Sequence, residues 1–139
     1  RVTVQHYWAD KETGDKLSNL DPSKIQIGFT NDGWTEDKSA ETTERNVFYY
    51  NSILKKGQTS TDFTDKISIA GDIAAIVGQT SQTDDNGLTT ITTTYEYDGA
   101  SFVLEATVDA VQTHNAEDAI KSAWGVDVNI SDDGALSLE

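Results

Sequence analysis

The sequence predicts an all-β, jelly-roll-like antiparallel β-sandwich with one short crossover helix, and three observations carry that reading. Apolar and polar residues alternate with a period of two over most of the chain. Turn residues recur between the alternating stretches, as in Asn31-Asp32-Gly33, Asn86-Gly87, Asp98-Gly99 and Asp133-Gly134. Only one stretch, Ala116–Trp124, changes to helical spacing. No βαβ rhythm is present, so a parallel sheet is not expected. The 139 residues suit one domain, 1–139, with no internal repeat and no linker to divide it.

Taken in order, Arg1–Trp8 reads as a strand with Val2, Val4, His6 and Trp8 on one face. Asp10–Ser23 is polar and reads as loop. Lys24–Thr30 alternates Ile25, Ile27 and Phe29 as a second strand, and Asn31-Asp32-Gly33 turns the chain. Thr35–Arg45 is charged and without period, which predicts an exposed, mobile segment. Asn46–Leu54 is dense in aromatics and can be covered on both faces, and Phe63–Ile69 alternates again. Gly71–Gly78 is too short for periodicity to choose between a buried strand and a helical turn.

The Asn86-Gly87 pair predicts a type I′ turn leading into Leu88–Tyr97, which is almost all Thr, Ile and Tyr. Asp98-Gly99 then predicts a tight hairpin returning into Ser101–Gln112. In the helix, Asn115 is a good N-cap, Asp118 is placed to complete a capping box, and Gly125 suits the left-handed C-terminal position. Ala116, Ala119, Ile120, Ala123 and Trp124 form its apolar face, with Trp124 expected to cap the core. Val126–Ile130, a turn at Ser131-Asp132-Asp133-Gly134, and Ala135–Leu138 predict a closing hairpin. Seven to nine strands result.

Composition narrows the function classes. With 24 acidic against 10 basic residues the net charge is −14, a field that repels nucleic acid and anionic membranes. There is no Cys, which removes disulfides and thiolate metal sites. No apolar run approaches the roughly 18 residues of a membrane span. The chain opens as Arg1-Val-Thr-Val without an initiator Met and so reads as a processed or trimmed product.

Signals for chemistry are sparse. His6 and His114 are the only histidines, and they lack the spacing of a zinc-protease helix. His6 reads as a half-buried strand residue and His114 as a solvated residue beside the helix cap. There is no nucleophile elbow and no phosphate-binding glycine loop. Asp84-Asp85-Asn86-Gly87 and Ser131-Asp132-Asp133-Gly134 offer oxygens to calcium but lack the EF-hand pattern, and both fall where hairpin turns are needed anyway. Tyr7, Trp8, Trp34, Phe48, Tyr49 and Tyr50 would make a sugar-binding platform if exposed on one face, or core if not. No catalytic, cofactor-binding or metal-ligating residue is assigned.

Two blocks carry a resemblance. Tyr49-Tyr50-Asn51-Ser52-Ile53-Leu54-Lys55-Lys56-Gly57-Gln58-Thr59 with Phe63–Ile69, and Glu105–Gln112 running into the helix and Ala123-Trp124-Gly125-Val126, resemble the TasA/camelysin family. Within it the chain looks like the BsaA-like exported proteins. The blocks cover about half the chain, in the family's order. The resemblance implies SipW-dependent export and a secreted structural subunit of an extracellular biofilm-matrix or cell-surface fibre. Assembly would proceed by donor-strand addition, an N-terminal segment of one subunit joining the next. It further implies that the protein is not an enzyme and needs no cofactor. Its main partner would be itself, with other matrix or cell-wall components beside it, and neither nucleic acid nor a membrane in the mature form. The signal region and leading donor segment are expected to be absent from this chain, since residue 1 already lies in a predicted strand. The camelysin metallopeptidase activity is not carried over, because no zinc ligands can be named. The alternative is a surface adhesin or carbohydrate-binding module; a metallopeptidase using His6 or His114 ranks last.

Overall fold

A computed structural model describes all residues, 1–139. The chain is all-β with antiparallel sheets and one short helix, as the alternating patterns predict. Its main layer has four strands in the order β3 (Trp34–Glu36), β4 (Arg45–Tyr50), β1 (Val2–Asp10) and β8 (Ala100–Val108). A second layer has only β2 (Ile25–Phe29) and β5 (Thr64–Ile69), paired as Ile25↔Ile69 through Phe29↔Thr64. Ile27 and Phe29 of β2 pack on Val2, Val4, Trp34 and Phe48, so the sandwich core lies between these unequal layers.

Alternation explains the packing. Val2, Val4, His6 and Trp8 are all buried on the core-facing side of β1. Trp8 and Trp34 are tolerated inside because each indole N–H finds a carbonyl, Asp21 O at 2.9 Å and Thr61 O at 3.0 Å. On β4, Asn46, Val47, Phe48 and Tyr49 are buried, so both faces are covered as the sequence suggests, although the strand stops at Tyr50.

Several expectations are corrected. Thr35–Arg45 is not uniformly exposed: Thr35 and Glu36 lie in β3, and Asp37 is buried. The Asp37 carboxylate accepts hydrogen bonds from Ser39 N, Ser39 Oγ and Ala40 N, which closes the loop onto the sheet. The Gly71–Gly78 ambiguity resolves as a single 3-10 turn, Ile73–Ala75. It leads into β6 (Val77–Thr83), which pairs with β7 (Thr89–Tyr95). The turn between them is not type I′, because only Gly87 of the Asn-Gly pair is left-handed (φ 79°). Gly87 N–H donates to Asp84 O, and Asp84 Oδ1 accepts from Asn86 and Leu88 N–H. This aspartate-driven turn satisfies the same ends without strain at Asn86.

The hairpin predicted across Asp98-Gly99 does not form. β7 pairs with β6 and β8 pairs with β1, in register from Val2↔Val108 to Asp10↔Ala100. The cause is Tyr97. Its ring packs edge-on to Trp8 at 5.1 Å, its hydroxyl accepts from Asp21 N–H, and Lys11 N–H donates to Gly99 O. The connection is thereby pinned to the end of β1, and β7 leaves β8 at once. The β6–β7 hairpin is exposed along nearly its whole length.

Helix α1 (Ala116–Trp124) occupies its predicted span, and Gly125 closes it in the left-handed region. Asn115 does not cap it with its side chain. At φ 50° the residue is left-handed, whereas a side-chain cap needs extended backbone. No box forms with Asp118; Glu117 instead accepts from Ile130 N–H and ties α1 to β9 (Val128–Ile130). Ile120 is buried, Trp124 is half-buried and Ala123 is exposed. The closing hairpin of β9 with β10 (Leu136–Leu138) is present, which brings the strands to ten.

Candidate assembly site

In an antiparallel ladder, alternate residues turn their N–H and C=O toward the neighbouring strand. Asp109 N–H donates to Arg1 O and Lys11 N–H to Gly99 O, so the odd-numbered residues of β8 engage β1. Phe102, Leu104, Ala106 and Val108 therefore point their main-chain groups outward, and β8 pairs with β1 alone. At about 3.3 Å per residue the free margin from Phe102 to Val108 is about 23 Å long, Ala100 N–H being taken by Tyr97 O.

The same residues carry the core-facing side chains of β8. Their partners on β1 are covered, with Val2 at 4 % and Trp8 at 3 % exposure, while Val108 is 74 % and Phe102 is 42 % exposed. A two-stranded second layer does not reach over β8. Its own rim is open as well, with Ile67 and Ile69 of β5 each 42 % exposed.

Beyond Val108 the chain runs into an apolar cleft of about 230 Å³, between α1, the β9–β10 hairpin and residues 52–54. Ile120, Trp124, Ile53 and Leu136 line it. One wall is a stack: Tyr49 lies 5.7 Å from Trp124, and the Arg1 guanidinium lies 4.9 Å over the same indole. Arg1 is held there by Asp109, with Nη2 at 2.7 Å and Nε at 3.1 Å from Oδ2.

No family model, no curated protein and no solved structure matches this chain.

The other sequence candidates are placed as follows. His6 is buried in the core-facing side of β1, its Nδ1 lacks a partner, and burial lowers its pKa against the raising influence of Glu44 and the Thr43 carbonyl. His114 is exposed ahead of α1. No three His, Asp or Glu side chains converge as a metal-binding group. In Asp84–Gly87 and Ser131–Gly134, Asp84 and Ser131 accept hydrogen bonds within their own turns. Trp8, Trp34, Phe48 and Tyr49 are buried, so the six aromatics do not form an exposed row. Sequence reasoning expects an open edge for strand addition but does not say which strand carries it, because alternation marks a strand and its faces but carries no information about which neighbour it takes.

Proposed function

We propose that this protein is a secreted structural subunit of an extracellular biofilm-matrix or cell-surface fibre, assembling by strand addition between copies of itself. The observation that carries the reading is the free margin of β8: outward main-chain groups from Phe102 to Val108, above core-facing side chains left uncovered. Native sheets blunt such margins with charge, proline or a covering element. Here the margin carries one charge, Glu105, and no proline. A strand laid along it satisfies the free groups and covers Phe102 and Val108 together. The TasA/camelysin resemblance supports the same reading and supplies its extracellular setting. Sedimentation and electron microscopy at rising concentration test it, with concentration-dependent filaments expected. A full-length protein that stays monomeric at the highest attainable concentration overturns it.

A further inference from the structure

We infer that the element seated on the β8 margin is the β6–β7 arm of a second copy, joined through β7. This rests on the strand-addition reading and puts the arm in place of the N-terminal segment that the resemblance implies as donor.

The arm is the one paired element without a layer to lie on. All of β7 is exposed, and so is β6 apart from Gly78, with Leu88 at 67 %, Ile91 at 65 % and Tyr95 at 57 % exposure. An isolated two-stranded hairpin is marginal in water and gains from a surface to pack on. Its strands, VGQTSQT and TTITTTY, contain no charged residue and no proline, so both its margins lack the usual guards. In a chain of net charge −14 the two strands of the arm carry no charge, its acidic residues Asp84 and Asp85 being confined to the turn, so repulsion from a partner is weakest along the strands.

Strand parity selects β7 over β6. Glu96 N–H donates to Ile76 O and Asp84 N–H to Leu88 O, so the inward-bonded residues of β7 are Thr90, Thr92 and Thr94. Thr89, Ile91, Thr93 and Tyr95 present free main-chain groups. Residues that hydrogen-bond directly across an antiparallel ladder also place their side chains on one face. Adding β7 to β8 thus puts Ile91 and Tyr95 on the same side as Phe102, Leu104 and Val108, the uncovered core side. The outward residues of β6 are Val77, Gln79, Ser81 and Thr83, which would place mostly polar groups there. Length agrees too: the seven residues of β7 span about 23 Å, the length of the margin from Phe102 to Val108. The arm and the β8 margin are different patches, so the contact is heterologous and open-ended.

Proline at an outward position removes a free donor without breaking an internal ladder bond. Thr93→Pro disables the arm and Ala106→Pro disables the margin, with circular dichroism confirming that each folds. Ile91→Asp and Val108→Asp, at exposed side chains, make the same comparison should a proline unfold the chain. Each variant alone is expected to lose every species larger than a monomer. An equimolar mixture of arm-disabled and margin-disabled chains is expected to stop at a heterodimer in sedimentation velocity. Filaments that persist in Thr93→Pro overturn the arm as donor and leave the fibre reading standing. Assembly that survives Ala106→Pro but not Thr93→Pro means arm-to-arm pairing and overturns the docking. A monomeric parent chain overturns the arm as donor, and a monomeric full-length protein overturns the strand-addition reading as well.

Discussion

At the scale of single residues, His6 is a group whose ionisation is linked to folding. Burial holds its folded-state pKa below the ordinary value near 6.5. As pH falls below about 6.5 the unfolded chain takes up the proton first, so stability present above that pH is lost on the way down. His6→Leu should flatten the slope of Tm against pH on the acid side of 6.5, and an unchanged slope would contradict the burial argument. Trp124 sits half-buried on Tyr49 and under Arg1, so Trp124→Ala should cost about 2–3 kcal/mol in denaturant unfolding, below the range of a fully enclosed indole. Gly134 has φ 84°, and a Cβ there would lie 2.7 Å from Ile53 Cδ1. Gly134→Ala should therefore cost about 2 kcal/mol, combining left-handed strain with a clash. Gly134 and Gly125 were legible as turn and cap positions, because the residue type itself reports the backbone angle. Asn115 was not: it favours both a capping side chain and the left-handed conformation, and the connection from β8 imposes the second.

At the scale of elements, alternation located the main strands, and a change of period located α1 to within its capping residues. Pairing was not legible across Asp98-Gly99. A turn dipeptide describes four residues, whereas Tyr97 answers to Trp8 and Asp21, 89 and 76 positions away in sequence. The same contact leaves β6 and β7 exposed to solvent. Amide exchange should be fastest for Val77–Tyr95 and slowest for β1, which is flanked by β4 and β8. Equal protection in the two regions would mean that the arm is covered in solution.

At the scale of the whole molecule, charge and assembly oppose each other. Copies with a net charge of −14 repel at long range, and salt shortens that range to about 8 Å near physiological ionic strength. Assembly through a joint whose strands carry a single charge, Glu105, should therefore strengthen as sodium chloride rises from low to moderate concentration, measured by light scattering at fixed protein concentration. Weakening with salt would point to an ionic joint instead. The net charge was plain in the composition. The open side was not, because the shortage of cover over β8 arises from the number of strands in the opposite layer, a property no local pattern contains.

The pairing of β1 with β8 runs unbroken from Val2↔Val108 to Asp10↔Ala100. Tension applied along β8 acts parallel to that seam, so all of its hydrogen bonds bear the load at once and must fail together. The β6–β7 hairpin, pulled apart at its base, yields one rung at a time. Under mechanical stress the β1–β8 body should thus outlast the β6–β7 hairpin, and in a fibre assembled as proposed the hairpins would stretch first while the bodies stay intact.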